Sequence, residues 1–320
     1  MSIVVKDLQF TYSANSPYET RALKDINLTI NEGDFLGIVG HTGSGKSTFI
    51  QHLNGLIRVQ EGEVEVFDIK LTNAKKPKPD LQRLRSLVGM VFQYPEYQLF
   101  EETVYKDVAF GPKNLGLSTE EIDARVREAI KLVGLDFDKF KDRAPFELSG
   151  GQKRRVAIAG IIAMKPKVLI LDEPTAGLDP SGKGQILELI KNLKEKCSPT
   201  IIVISHDIDE ITRFANRLVV FNDGKVAFDE PMKDLFKHQK ELVEMGLDIP
   251  LAIKIANDLK SKGVTLNDNI VTMSDLLKEI VNVYNKKHGT NIDASNIDKS
   301  QFKFDFFKEN ETKEEVFLDE

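Results

Sequence analysis

Gly40-His41-Thr42-Gly43-Ser44-Gly45-Lys46-Ser47 fits the phosphate-loop pattern G-x-x-x-x-G-K-[ST] without departure. The apolar run Phe35-Leu36-Gly37-Ile38-Val39 before it reads as a buried strand. After it, Thr48-Phe49-Ile50-Gln51-His52-Leu53 sets Phe49, Ile50 and Leu53 at helical spacing. Strand, loop and helix are the setting the motif requires. Glycines let the backbone approach phosphate oxygens because no Cβ obstructs it. Successive amide N–H groups form an anion nest, and the helix N-terminus adds roughly half a positive charge. Lys46 would reach the β- and γ-phosphates of a nucleotide, and the Ser47 hydroxyl would ligate Mg²⁺. A chance match in a chain of this length is roughly one in a hundred, so a glycine-rich turn that binds nothing is the weaker reading.

Val168-Leu169-Ile170-Leu171-Asp172-Glu173 is a second apolar run, ending in two carboxylates. Such a continuous run suits a parallel strand covered on both faces. Asp172 at its end can hold the Mg²⁺ shell, and Glu173 can orient and polarise an attacking water. Thr200-Ile201-Ile202-Val203-Ile204-Ser205 is a third such strand, followed by His206. Alone, that histidine reads as a satisfied structural residue. Standing 33 residues after Glu173, it reads better as a γ-phosphate contact that helps hold the water. Gln93, after Leu87-Val88-Gly89-Met90-Val91-Phe92, suits a polar sensor reaching toward Mg²⁺ and water.

Leu148-Ser149-Gly150-Gly151-Gln152 opens a further helix, expected over Lys153 to Met164. Ser149 is a good N-cap, and the helix start again favours an anion. One site does not need two anion-binding helix ends in one chain. Two sites shared across a head-to-tail dimer do. Each ATP would lie between Lys46 of one subunit and Ser149 of the other, with Asp179 on the seam.

In this order the motifs resemble those of ABC-type ATPases: Walker A, Gln loop, signature, Walker B, Asp loop and His switch. The resemblance covers about residues 1–235. It implies an α/β fold: a P-loop NTPase core with an antiparallel β subdomain, a helical subdomain over about residues 94–165, and a small helical C-terminal extension. It also implies that Tyr12, in Phe10-Thr11-Tyr12, stacks on adenine, beside ATP-binding Gly40, His41, Thr42, Gly43, Ser44, Gly45, Lys46, Ser47, Thr48 and Gln93. Ser47, Gln93 and Asp172 would hold Mg²⁺, Glu173 and His206 would be catalytic, and Leu148 to Gln152 with Asp179 would act across the dimer. Gln51-His52-Leu53-Asn54-Gly55-Leu56, the segment Val91 to Glu102, Phe110-Gly111-Pro112-Lys113-Asn114 and Phe146 to Gly160 are similar to the energy-coupling factor (ECF) vitamin importers. His41-Thr42 and Tyr94-Pro95-Glu96-Tyr97-Gln98-Leu99-Phe100-Glu101 are similar to the second of their two ATPase subunits. That likeness implies ATP hydrolysis driving uptake of vitamins or other micronutrients. The partners would be a second, homologous ATPase, a transmembrane coupling protein and an interchangeable substrate-binding membrane protein. The place would be peripheral, on the cytoplasmic face of the cell membrane.

Composition agrees. With 320 residues, 41% of them hydrophobic, the chain suits one α/β domain plus an appendage. The longest apolar stretch, Val156–Met164, is far below the ~20 residues a membrane span needs. Met1-Ser2-Ile3-Val4-Val5 runs straight into a strand pattern, with no signal peptide expected. A lone Cys197 excludes an internal disulfide, removes any zinc–cysteine site and fits a reducing cytosol. From Asp293 to Glu320 nine acidic and four basic residues leave a net charge of −5, against −6 for the whole chain. No basic face for nucleic acid is left, and residues 291–320 read as an acidic, flexible tail.

Residues 1–70 alternate in the β manner, as in Ile26-Asn27-Leu28-Thr29-Ile30 and Glu63-Val64-Glu65-Val66. Lys75-Lys76-Pro77-Lys78-Pro79-Asp80 reads as an exposed loop, and Ser118-Thr119-Glu120-Glu121 as a helix start. The ABC core is expected to end near residue 235. Over 236–290, one helix follows Asp248-Ile249-Pro250 with Leu251, Ile255 and Leu259 on one side. Another follows the capping box Thr272-Met273-Ser274-Asp275, with Leu276, Leu277, Ile280 and Tyr284 as its apolar face. The family resemblance implies that this piece helps hold two subunits together. Glu101 and Glu102 read equally as docking residues for a membrane partner or as exposed charge at a helix start. A rival reading is a soluble ABC ATPase in DNA maintenance or translation. The 101 residues from Ser47 to Leu148 carry no sustained heptads, and only one cassette is present, which counts against it.

Overall fold

The computed structural model describes residues 3–74, 78–196 and 200–293. Lys75, Lys76, Pro77, Cys197 and the acidic tail beyond Asp293 lie outside these residues, so the expectations placed on them are not met by any structural description. Ten strands are described: β1 (Ile3–Tyr12), β2 (Thr20–Ile30), β3 (Phe35–Val39), β4 (Glu61–Val66), β5 (Ile69–Thr72), β6 (Val88–Val91), β7 (Val168–Asp172), β8 (Thr200–Ile204), β9 (Arg217–Asn222) and β10 (Lys225–Pro231). They form an antiparallel sheet in the order β2-β1-β4-β5 and a six-stranded sheet in the order β10-β9-β3-β8-β7-β6. In the second, β9, β3, β8, β7 and β6 run parallel and β10 pairs antiparallel at the edge.

The apolar runs decide this arrangement. Every residue of β3, β7 and β8 is buried, as strands covered on both faces must be. Alternate residues divide between two cores. Leu36, Ile38, Ile170 and Ile202 face the antiparallel sheet and the helix Lys46–Leu53, while Leu169, Leu171, Ile201 and Val203 face the helices Val104–Asn114, Thr119–Leu132, Gly150–Ile162 and Pro180–Lys196. In the antiparallel sheet Ile26, Leu28, Ile30, Val64 and Val66 point inward, following the period of two in the sequence.

Two expectations are corrected. The signature helix starts at Gly150, not Lys153, and its last residue is Ile162, not Met164. Ser149 and Gln152 form a reciprocal capping box that draws both glycines into the first turn. The C-terminal helices Leu251–Ser261 and Met273–His288 form, the second with the Thr272–Asp275 capping box. Their buried residues are Ala252, Ile253 and Ala256 in the first and Leu276 and Val281 in the second, whereas Leu251, Ile280 and Tyr284 are exposed. Ile255 and Leu259 of the expected stripe pack half-buried against Ala252, Ala256 and Leu276, so the correction concerns Leu251, Ile280 and Tyr284. Ile253 and Val271 share a core with Val39, Leu218 and Val220 of the main sheet, so the helices after residue 235 are joined to it by continuous packing.

Candidate active site

The sheet order brings the carboxyl ends of β3, β8 and β7 side by side, the edge at which open parallel sheets bind ligands. The phosphate loop leaves β3 there. Gly45 has φ +103, and a Cβ on it would lie 2.6 Å from the carbonyl oxygen of Ala22. No other residue fits that turn without strain. Lys46 is buried, and its ammonium donates to the carbonyls of Gly40 at 2.7 Å and His41 at 2.9 Å. Burial holds its pKa below the usual lysine value, opposed by the carboxylates of Glu173 and Asp172.

Asp172, the last residue of β7, is also buried. Desolvation first, and the neighbouring Glu173 charge second, push its pKa up to about 6, while the Ser47 hydroxyl and Lys46 pull it back. A buried carboxylate left so far from neutralised, with a hydroxyl hydrogen-bonded to it, is a donor pair suited to a hard divalent cation. Among the described residues no group of three or more His, Cys, Asp or Glu side chains converges as a metal cage. Two protein ligands completed by phosphate oxygens is the pattern Mg²⁺ favours.

Glu173 follows at φ +48, in the left-handed region that a residue of this size rarely adopts. Its N–H donates to Ile204 of β8 at 2.9 Å, which turns its side chain toward the end of that strand. There Oε2 meets Nδ1 of His206 at 2.8 Å. Sequence reading gave both residues roles at the γ-phosphate and the attacking water; the structure adds a direct contact between them.

Tyr12 and the phosphate loop share one open pocket of about 390 Å³, lined also by Gly43, Gly45, Lys46, Ser47 and Thr48. The Tyr12 hydroxyl lies 3.1 Å from Oγ1 of Thr48. Sequence reading missed six further residues of this pocket, Thr20, Arg21, Ala22, Lys24, Asp223 and Gly224. Asp223-Gly224 is the tight turn between β9 and β10, and the Gly224 N–H donates to the Ser44 carbonyl at 3.0 Å. A hairpin signal (Asp-Gly between apolar strands) was present, but nothing local ties it to residues 180 positions earlier. His41 turns outward from the loop, with Nε2 3.6 Å from Asp223. Thr42 is exposed.

Gln93 is exposed beyond the carboxyl end of β6, on the same sheet edge but outside that pocket. Leu148, Ser149, Gly150, Gly151 and Gln152 lie at the start of their helix, and none lines the phosphate-loop pocket. Ser149 and Gly150 are exposed. Asp179 is exposed too, and its carboxylate accepts from the Gly182 N–H at 2.9 Å, capping the helix Pro180–Lys196. A separate apolar groove of about 580 Å³ runs beside the segment after Gln93, lined by Leu99, Phe100, Phe110, Leu115, Ile161 and Met164. Glu102, two residues past Phe100 and not among the lining residues, is ion-paired to Lys106. Among the described residues no helix is long and apolar enough to cross a membrane.

Comparison with known proteins agrees with this geometry. Residues 23–176 match the family model for ABC transporters. The chain is 51% identical over 284 residues to the energy-coupling factor transporter ATP-binding protein EcfA2 of Clostridioides difficile (strain 630), covering 88% of this chain and 98% of that one. It is 48% identical over 287 residues to the protein of the same name from Clostridium tetani, covering 90% and 99%. Among solved structures, cbiO1 from Clostridium perfringens, part of the ABC transporter complex cbiONQ, matches with TM-score 0.65 and 38% identity over 76% of this chain and 93% of that one. The dimeric ATP-binding cassette MJ0796 in a post-hydrolysis state with ADP and Pi matches with TM-score 0.62 and 34% identity over 72% and 98%. The chain belongs to the energy-coupling factor transporter ATP-binding proteins, ATP-hydrolysing subunits of the ABC transporter family.

Proposed function

We propose that this chain binds ATP between its own phosphate loop and the signature of a second, homologous ATPase subunit, and hydrolyses it to drive uptake of a vitamin or other micronutrient. The observation that carries the catalytic part is the 2.8 Å contact of Glu173 with His206 beside Asp172 and Ser47. Tyr12 stacks on adenine. The loop amides from Gly40 to Thr48 and the Lys46 ammonium neutralise the triphosphate. Mg²⁺, held by Ser47, Asp172 and Gln93, supplies further charge neutralisation when bound. Glu173 orients and polarises the attacking water, and His206 holds the γ-phosphate end of the substrate. Phosphoryl transfer asks chiefly for such positioning and charge neutralisation.

The exposed start of the signature helix supports a role across a dimer, because Ser149 and Gly150 are exposed and lie outside their own chain's pocket. The apolar groove at Leu99, Phe100 and Phe110 supports docking of a transmembrane coupling protein, with an interchangeable membrane protein supplying substrate. Glu101 and Glu102, which directly follow Phe100 in the chain, are candidate docking residues there. The chain then sits peripherally on the cytoplasmic face of the cell membrane, with the helices of residues 236–290 contributing to subunit contact. A soluble role in DNA maintenance or translation is not favoured, since the relatives are transporter subunits.

The test is steady phosphate release by the assembled complex, wild type against Glu173→Gln in this chain. The variant is expected to lose the share of turnover that this carboxylate supports, about 10²–10⁴-fold at its own site. Equal rates would remove the catalytic assignment. Gentle detergent purification on a tag should bring down a second ATPase and two membrane proteins; a soluble nucleoprotein assembly instead would overturn the transport reading.

A further inference from the structure

Arg154 is the largest fully buried side chain among the described residues. A buried guanidinium without partners is strongly destabilising, so its contacts are informative. Nε and Nη2 donate to the two carboxylate oxygens of Glu96 at 3.0 and 2.7 Å. Nη1 donates to the carbonyls of Pro174 at 3.1 Å and Ala176 at 2.8 Å. Glu96 belongs to the turn Pro95–Gln98, which directly follows Gln93 and Tyr94. Pro174 to Ala176 directly follow Glu173. Arg154 itself lies two positions past Gln152 on the signature helix. One planar group thus holds together the segment beside the apolar groove, the signature helix and the loop that carries the catalytic carboxylate.

The loop needs holding. Glu173 stands at φ +48, and such strain persists only where the surroundings over-determine it. On one side the Glu173 N–H bonds to Ile204, and on the other the Ala176 N–H bonds back to the Glu173 carbonyl at 3.1 Å. The Ala176 carbonyl is the one that Arg154 grips most closely. Tyr94 leans on the same loop: a Cβ on Gly177 would come within 3.1 Å of its ring.

We propose that Arg154 is a positioning residue that fixes Glu173 through Pro174–Ala176 and transmits displacement of the segment Tyr94–Glu102 to it. This rests on the reading above, in which Glu173 is catalytic and a membrane partner docks beside that segment. An arginine is required, because its fork satisfies a carboxylate and two carbonyls at once and a lysine ammonium cannot.

The experiment uses the complete complex with the variants in this chain, and measures ATP hydrolysis with and without the membrane subunits. At this chain's site, read as the difference from the Glu173→Gln complex, Arg154→Lys lowers kcat about tenfold or more, the cost of a small misplacement. KM for ATP stays within about twofold, since ground-state binding is untouched. Glu96→Gln brings the ratio of kcat with and without membrane subunits toward unity, although those subunits still co-purify. The exchange Glu96→Arg with Arg154→Glu restores an ion pair but not the two carbonyl bonds, and kcat stays low. Recovery of wild-type kcat in the exchange variant would overturn the proposal, because a salt bridge serving stability alone predicts it. So would an unchanged ratio in Glu96→Gln, a result that stands even where the Arg154 variants fail to assemble. Full turnover in Glu173→Gln would sink the underlying site reading instead.

Discussion

Asp172→Asn is expected to make the nucleotide-free protein more stable while abolishing turnover at its site. The carboxylate titrates near 3.8 in an unfolded chain and at about 6 in the fold, because burial and the Glu173 charge both disfavour its ionised form. A difference of about two units corresponds to roughly 3 kcal/mol of native-state destabilisation once both states are ionised. The sign follows from proton binding. Between these two values the folded protein holds a proton that the unfolded chain has lost, so stability falls as pH rises through the window and is level above it. At pH 8 the whole of that roughly 3 kcal/mol is present, and at pH 5 about half of it. Asparagine has the same shape, keeps an oxygen for the Ser47 hydroxyl and carries no charge.

The assay is urea or thermal unfolding of wild type and variant in a chelator without nucleotide, at both pH values. The expected result is a variant more stable by about 2–3 kcal/mol at pH 8, with the gap roughly halved at pH 5. A variant no more stable than wild type at pH 8, or a gap independent of pH, would refute the electrostatic account of this site. The same reasoning gives a pH dependence for wild-type activity. The charged form is the one that holds a cation, so hydrolysis should decline as pH falls through about 6. Such opposition of stability and function is the usual mark of a site kept for chemistry.

Tyr12→Ala should raise KM for ATP roughly tenfold with little change in kcat, as loss of one base-stacking platform does; an unchanged KM would remove Tyr12 from the adenine site. Gly45→Ala should lower the melting temperature of the nucleotide-free protein more than Gly43→Ala. The first meets Ala22 at 2.6 Å, whereas the second carries only its positive φ with open space around it. Equal losses would mean that the contact is relieved by relaxation. Ser149→Ala should destabilise by about 1 kcal/mol through its broken capping box. Mixed into a complex with one intact signature, it should impair the ATP site of the partner subunit and not its own, measured by nucleotide trapping at each site.

The phosphate loop was legible because its chemistry is contiguous: eight successive residues specify the turn, the nest and the helix start. The helix start at Ser118, the N-cap at Ser149 and the capping box at Thr272 were legible for the same reason, since each closes within three residues. The alternation in β2 and β4 and the unbroken apolar runs of β3, β7 and β8 fixed which strands are half-covered and which are central. What escaped was whatever depends on a partner distant in sequence. The Asp223-Gly224 turn supports the phosphate loop only because β9 lies beside β3. Arg154 looks like one cation in a basic run until Glu96 and two carbonyls are seen around it. In the helices Leu251–Ser261 and Met273–His288 the spacing offered two neighbouring apolar stripes. Only the position of the main sheet selects Ile253 over Leu251.

Lys46 and Glu173 each hold an internal partner, whereas the buried Asp172 carboxylate is under-compensated, and this bears on how the cycle runs. Lys46 is bonded to its own loop, Asp172 to Ser47, and Glu173 to His206. At Lys46 and Glu173 substrate therefore exchanges one set of polar contacts for another, and the unmet need lies at Asp172, where a cation would be held. The Glu173–His206 contact has a further consequence. At 2.8 Å the two groups touch, and a water cannot stand between them. His206 engages Oε2 of the carboxylate, so in the proposed mechanism Oε1 can accept the nucleophile's hydrogen bond while the imidazole turns toward the γ-phosphate. Its ring is 74% exposed and can turn, whereas the Glu173 side chain is 14% exposed and its backbone is fixed by β8 and by the loop that Arg154 grips. The mobile partner of the pair is the histidine, and the carboxylate is the fixed reference about which the site closes.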